Sequence, residues 1–324
     1  MLAGELPPDK RQAVSIDYSG LALMAIGIGS LQFMLDQGES QDWFSSHFIQ
    51  VAALAALLGS VAFVVRSLGR DKPLIDLWLF GDRNFAIANI VIAGFAVSMF
   101  GGIAILPLFV QGLLGYPVLD AGMLFIPRGL AAGFSMIIVG AVLSGRVDPR
   151  ILAAIGLILL SVSNFMTAGL NLNADFWQLA WPGVVSGLGM GLVFVPMSTL
   201  AFDRIGKERQ DEASGLYGVT RQLGSSIGIA AVGALLVQSI TTNTAVLTSY
   251  VTPFNHAATA YLAPLGLTPQ SVEGAAILAQ EVAQQGQMIA YSGIFSILGW
   301  ISMALLPLLF LMKKPQATSK VIAH

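Results

Sequence analysis

The chain has 324 residues, 55% of them hydrophobic and only 10% charged, with 16 Lys and Arg against 18 Asp and Glu for a formal net charge of -2. A soluble domain carries roughly 25% charged residues, so this composition, with a mean hydropathy of +0.76, excludes the soluble globular class. The small net charge averages two faces of a membrane protein and gives no ground for nucleic-acid binding.

Residues 1–17 are polar and of mixed charge, without the basic start and apolar core of a secretory signal, so insertion rests on the first span itself. Eight apolar runs follow, each close to the roughly 20 residues that cross about 30 Å of hydrocarbon as helix. They are Tyr18 to Leu35, Phe48 to Val65, Phe85 to Val110, Ala121 to Leu143, Ile151 to Leu170, Leu179 to Phe202, Leu216 to Val237 and Met288 to Leu311. Continuous apolar runs lack the alternation of barrel strands, so the expected fold is an all-α integral membrane protein with eight transmembrane helices.

The short segments between these runs alternate in charge. Lys10 and Arg11, then Arg66, Arg70, Lys72 and Arg83, then Arg146 and Arg150, then Arg204, Lys207 and Arg209, and finally Lys313, Lys314 and Lys320 fall in one set. The other set carries Asp36, Glu39, Asp42, Asp175, Glu273 and Glu281 and no Lys or Arg. By the positive-inside rule the basic set is cytoplasmic, and an even number of spans places both termini there. Two arginines remain, Arg128 in the fourth span and Arg221 in the seventh.

On the sixth span Gly183, Gly187 and Gly191 recur every four residues, and Gly224 and Gly228 do so on the seventh, marking faces where backbones approach closely. The run Gly187-Leu-Gly-Met-Gly191 reads as packing, since no strand or acidic ribose partner accompanies it. Between Gln238 and Gln287 lies one long outward loop, in which Thr241 to Tyr250 and Ala275 to Glu281 have the makings of short amphipathic helices, for the membrane surface or for a partner. The chain has no cysteine, and its three histidines, His47, His256 and His324, fall in loops or the tail, so neither thiolate chemistry nor a metal cluster is expected.

Three stretches carry a resemblance. Phe125-Ile-Pro-Arg-Gly129 opens the fourth span, Ser144-Gly-Arg-Val-Asp-Pro-Arg150 precedes Gly156, and Ala213-Ser-Gly-Leu-Tyr-Gly-Val-Thr-Arg-Gln-Leu-Gly-Ser-Ser-Ile-Gly228 embeds Arg-Gln-Leu-Gly. Together they resemble the fourteen-helix drug:proton antiporter branch of the major facilitator superfamily, the EmrB and QacA type, and the outward Val251-Thr-Pro-Phe-Asn255 also fits. The resemblance implies a C-terminal portion of such a transporter. Residues 1–17 then form a cytoplasmic segment, 18–73 the two extra helices between the halves, 74–312 the second six-helix bundle with the outward loop 238–287, and 313–324 a cytoplasmic tail.

The family's first six helices, with the usual proton-coupling carboxylate, are not in this sequence, so a truncated frame or fragment is expected. Every span centre here is free of Asp and Glu, which leaves no obvious proton carrier. Alternating access also requires one bundle to rock against another.

The resemblance implies multidrug efflux of lipophilic or amphipathic compounds by proton antiport when complete, in a bacterial inner membrane, with no cofactor. A separate N-terminal half and a periplasmic adaptor are candidate partners. Coupling or gating falls to Arg221 with Gln222, the guanidinium read also as snorkelling to the cytoplasmic surface, to Arg128, read also as a snorkelling anchor or a partner of Asp120, and to Asp148 in a charge network between Arg146 and Arg150. The third, fourth, sixth and seventh spans would line a cavity with Asn89, Phe95, Met99, Phe100, Phe194, Met197 and Tyr217, where aromatics and methionines form an adaptable apolar surface or simply pack. A stand-alone membrane scaffold that docks an adaptor is the alternative. An intramembrane enzyme finds no serine, histidine and acid constellation in the spans.

Overall fold

The computed structural model describes residues 17–41, 43–70, 77–252 and 255–314. Lys10, Arg11, Asp42, Lys72, Pro253, Phe254 and Lys320 lie outside the described residues. Within them every regular element is helical, and eight helices are long and apolar enough to cross a membrane.

Several helices start where a side chain satisfies a free N–H group. Asp17 accepts from the Gly20 amide ahead of α1 (Tyr18–Gln37), and α2 (His47–Leu68) returns beside it. Asp82 accepts from Phe85 N at the head of α3 (Arg83–Leu113), and Asp148 from Arg150 N at the head of α5 (Pro149–Ala168). Between them α4 spans Val118–Leu143, and both α3 and α4 finish in a π-helical turn. A capping box of Asp175 with Gln178 opens α6 (Phe176–Phe202).

The expected loop 238–287 is mostly helix. The seventh helix, α7, runs unbroken from Gln210 to Tyr250, 41 residues and roughly 60 Å at 1.5 Å per residue, about twice the hydrocarbon thickness. After a short α8 (His256–Leu262), capped by Asn255, the last helix α9 (Val272–Leu311) starts 16 residues before the apolar run begins at Met288. Apolar length reports contact with lipid, whereas helical hydrogen bonds continue for as long as caps and propensity allow, here to Ser271 on one side and Tyr250 on the other. The projecting parts hold a small core of their own, Ala258, Leu262 and Leu278.

Helices α3, α4, α5, α6, α7 and α9 form one bundle, while α1 and α2 pair with each other and reach it through α1 against α7. Glycine seams set the closest crossings. A Cβ on Gly224 would lie 2.5 Å from the Ala93 carbonyl and one on Gly228 2.5 Å from the Val97 carbonyl, so α7 and α3 meet backbone to backbone. On α6, Gly187 faces Arg128 and Ala131 of α4, and Gly191 faces Ser135, while Gly189 faces Gly156 of α5. Small residues at the seams are what packing in lipid needs, because apolar burial alone does not favour a protein neighbour over an acyl chain. The apolar interior divides into one cluster toward the basic end and one toward the other end.

Candidate functional site

On the basic half of the bundle α3, α6 and α7 bring an aromatic and cationic group together. Phe95 on α3 meets Phe194 on α6 edge to face, with ring centroids 5.1 Å apart. The Arg221 guanidinium of α7 stands over the same Phe194 ring, 5.6 Å from its centroid. Nearby on the same two helices, Phe202 and Tyr217 stack edge-on at 5.5 Å. Arg221 and Gln222 are exposed and Phe194 and Phe100 half-buried, so the cation and one aromatic face look out of the bundle. Phe95, Met99, Met197 and Tyr217 lie behind them in the core.

Two polar atoms in this region have no hydrogen-bond partner among the described residues, Asn89 Oδ1 and the Tyr217 hydroxyl. Asn89 Nδ2 donates to the Phe85 carbonyl at 2.8 Å, which fixes the amide and leaves its oxygen free. Buried polar atoms are normally paired, since leaving one unpaired costs about 1–3 kcal/mol. The chemistry on offer is therefore a planar cation, two rings, and two hydrogen-bonding atoms just inside.

Arg128 stands in the other half and reaches this group through Met99, which borders the same cavity. It borders a cavity of about 30 Å³ between α3, α4, α5, α6 and α9, beside Ser98, Ser163, Asn164, Thr167 and Ser186. Asn164 Nδ2 donates to Ser98 Oγ at 3.1 Å, and the Ser163 hydroxyl to the Pro182 carbonyl at 2.6 Å. Among the described residues Arg128 has no ion pair or hydrogen bond, so Asp120 is not its partner here. The serines and Asn164 were not expected at a site, because single small polar residues in apolar runs make no pattern. Their clustering on successive turns of the fifth span, Ser161, Ser163, Asn164 and Thr167, was the available signal.

Asp148 lies at the basic end, in a network that ties down the end of α9. Its carboxylate accepts from Arg150 Nε at 3.2 Å and Nη2 at 2.9 Å, and Arg150 Nη1 donates onward to the Met312 carbonyl at 2.9 Å. Asn84 holds the next residue at both groups, donating to Lys313 O at 3.0 Å and accepting from Lys313 N at 2.7 Å. The Arg150 hydrogen bonds hold the Asp148 carboxyl below its ordinary range. The expected charge network thus centres on Arg150.

The fold and these sites define a multi-pass helical membrane bundle with a cationic, aromatic face and a second arginine in a polar interior. Comparison with known proteins narrows this. A model of the Major Facilitator Superfamily matches residues 6–229. The chain is 34% identical over 304 residues to the multidrug export protein EmrB of Escherichia coli (strain K12), covering 93% of this chain and 59% of that protein. It is 30% identical over 303 residues to the fatty acid resistance protein FarB of Neisseria gonorrhoeae, with 92% and 59% covered. The chain belongs to the Major Facilitator Superfamily, and it spans about 59% of the length of these relatives. It is a multi-pass protein of the bacterial inner membrane.

Proposed function

We propose that this chain supplies the C-terminal bundle of a multidrug efflux transporter that exports lipophilic or amphipathic compounds by proton antiport, working with six further N-terminal helices. The observation that carries the reading is Arg221 standing over Phe194 on the outward-looking face of α7 and α6, backed by Phe95. Rings and methionines accept varied apolar shapes, and the guanidinium adds a directional contact to a polar or charged end of the substrate. The relatives carry the same direction in their names, multidrug export and fatty acid resistance. Arg221 with Gln222 contacts substrate or gates the cavity, Arg128 serves coupling from the opposite half, and Asp148 braces the basic end. In this reading residues 18–73 are the extra hairpin, 74–312 the bundle, and the basic end with both termini is cytoplasmic.

The projecting parts of α7 and α9 with α8 support a partner as well. Their own core and the Tyr261 hydroxyl donating to Glu281 at 3.0 Å make a folded outward layer on which a periplasmic adaptor docks.

The chain has no native cysteine, so single-cysteine labelling tests the cavity directly. Gln222→Cys and Phe194→Cys, expressed with an N-terminal six-helix half, are expected to react with maleimide and to be protected by lipophilic substrates. Ile90→Cys, on an exposed position of α3 outside the ring cluster, is expected to show no protection. Equal labelling with and without substrate at Gln222 and Phe194 would remove the cavity reading.

A further inference from the structure

At the basic end of the α1–α2 hairpin a groove of about 560 Å³ opens between the two helices, away from the sites above. Leu23, Ala62 and Val65 form its apolar wall, and Arg66 and Arg70 its polar rim. Asp17, only 7% exposed, lies beneath and receives Arg66 Nη2 at 3.0 Å and Arg70 Nη1 at 2.7 Å. It also accepts from Arg66 Nε at 3.2 Å. The carboxylate therefore does two things: it holds both guanidiniums in place, and it cancels one of their two charges. A guanidinium has five N–H donors, so most donors of the pair remain unused among the described residues.

A cationic fork above an apolar trough, at the depth where a helix leaves the hydrocarbon, has the chemistry of a phospholipid's phosphate above its acyl chain. Arginine matches phosphate oxygens with two parallel hydrogen bonds, and basic pockets between transmembrane helices recognise anionic headgroups. We propose that this groove binds an anionic phospholipid of the adjoining leaflet, its phosphate on Arg66 and Arg70 and its first acyl segment along Leu23, Ala62 and Val65. The hairpin would then be anchored to lipid on one side and to α7 on the other, where the Ser226 hydroxyl donates to Gln32 Oε1 at 2.7 Å. This inference rests on the membrane-spanning placement of the hairpin and is independent of the transport reading.

Native mass spectrometry of the full chain in detergent, titrated with phosphatidylglycerol or phosphatidylcholine of the same acyl chains, tests it. An interfacial arginine is worth roughly fivefold in affinity for an anionic lipid, so with one charge cancelled by Asp17 the expected preference for phosphatidylglycerol is about fivefold or more. The double variant Arg66→Gln/Arg70→Gln should bring the two lipids level. Ala62→Trp fills the trough without touching an ion pair and should weaken phosphatidylglycerol binding even if the double variant misfolds. Equal binding of the two lipids by the unaltered chain, a preference that survives Ala62→Trp, or displacement of phosphatidylglycerol by millimolar inorganic phosphate would each overturn the proposal.

Discussion

Tyr217 and Asp148 show how single side chains divide between stability and use. Among the described residues the Tyr217 hydroxyl is buried without a partner, which costs stability. Tyr217→Phe is expected to leave the thermal midpoint unchanged or to raise it by a few degrees, about 1 kcal/mol, while lowering transport of an amphipathic substrate in the assembled protein. A drop in the midpoint with transport intact would contradict the role. Asp148 works the other way. Its carboxyl is held low by Arg150, so the charged form stabilises the native state. That contribution is complete above the ordinary value of 3.8 and is lost as pH falls through the lowered native value. Asp148→Ala removes both cap and ion pair and should cost about 1–2 kcal/mol. Asp148→Asn keeps the cap, so it should cost less and flatten the acid limb of a pH-stability curve measured by circular dichroism.

Of the residues singled out in the sequence, Arg221, Gln222, Phe194 and Phe95 fall into one neighbourhood. Arg128 and Asp148 lie at separate places. Helical periodicity shows which residues share a helix face but not which side of that face meets a neighbour. That is why Met99, Met197 and Tyr217, candidate lining residues, sit behind the exposed cation rather than beside it. The strap from Asn84 to Lys313 was not legible, because it joins positions 229 apart through backbone groups that every residue carries.

At the level of elements, the glycine repeats were legible and their partners were not. Gly224 and Gly228 press on Ala93 and Val97, backbone that cannot move aside as a side chain can. Gly228→Leu should therefore cost about 1–3 kcal/mol or more by overpacking, read as a lowered unfolding temperature in detergent. Gly218→Ala lies on the same helix with nothing within 4 Å of the added carbon. It should be neutral or stabilising by up to about 1 kcal/mol. Equal losses from both substitutions would show that helix propensity, not the seam, dominates. The spans themselves were visible because about 20 apolar residues are what the bilayer demands. Their extensions were legible in part: Thr241 to Tyr250 and Ala275 to Glu281 read as short separate helices, whereas both are continuous with α7 and α9, because nothing in the composition shows that the helical hydrogen bonds run on through Gln238 and through Val282 to Gln287.

Across the whole molecule, two arginines within the apolar helices face different surroundings, Arg221 a ring on an open face and Arg128 a polar interior, and no span centre carries a carboxylate. Ionisable residues within membrane spans are costly and mark functional sites. In the proposed transport reading a second body supplies the acidic groups and the surface to rock against; the chain spans about 59% of the length of these relatives. The most direct test is efflux of a fluorescent amphipathic compound from cells that express this chain beside a matching N-terminal six-helix half, with and without Arg221→Ala. The account predicts proton-gradient-dependent efflux in the paired cells and at least a tenfold loss on Arg221→Ala, about 1.4 kcal/mol of lost substrate or transition-state interaction. Full efflux from the Arg221→Ala pair would contradict it.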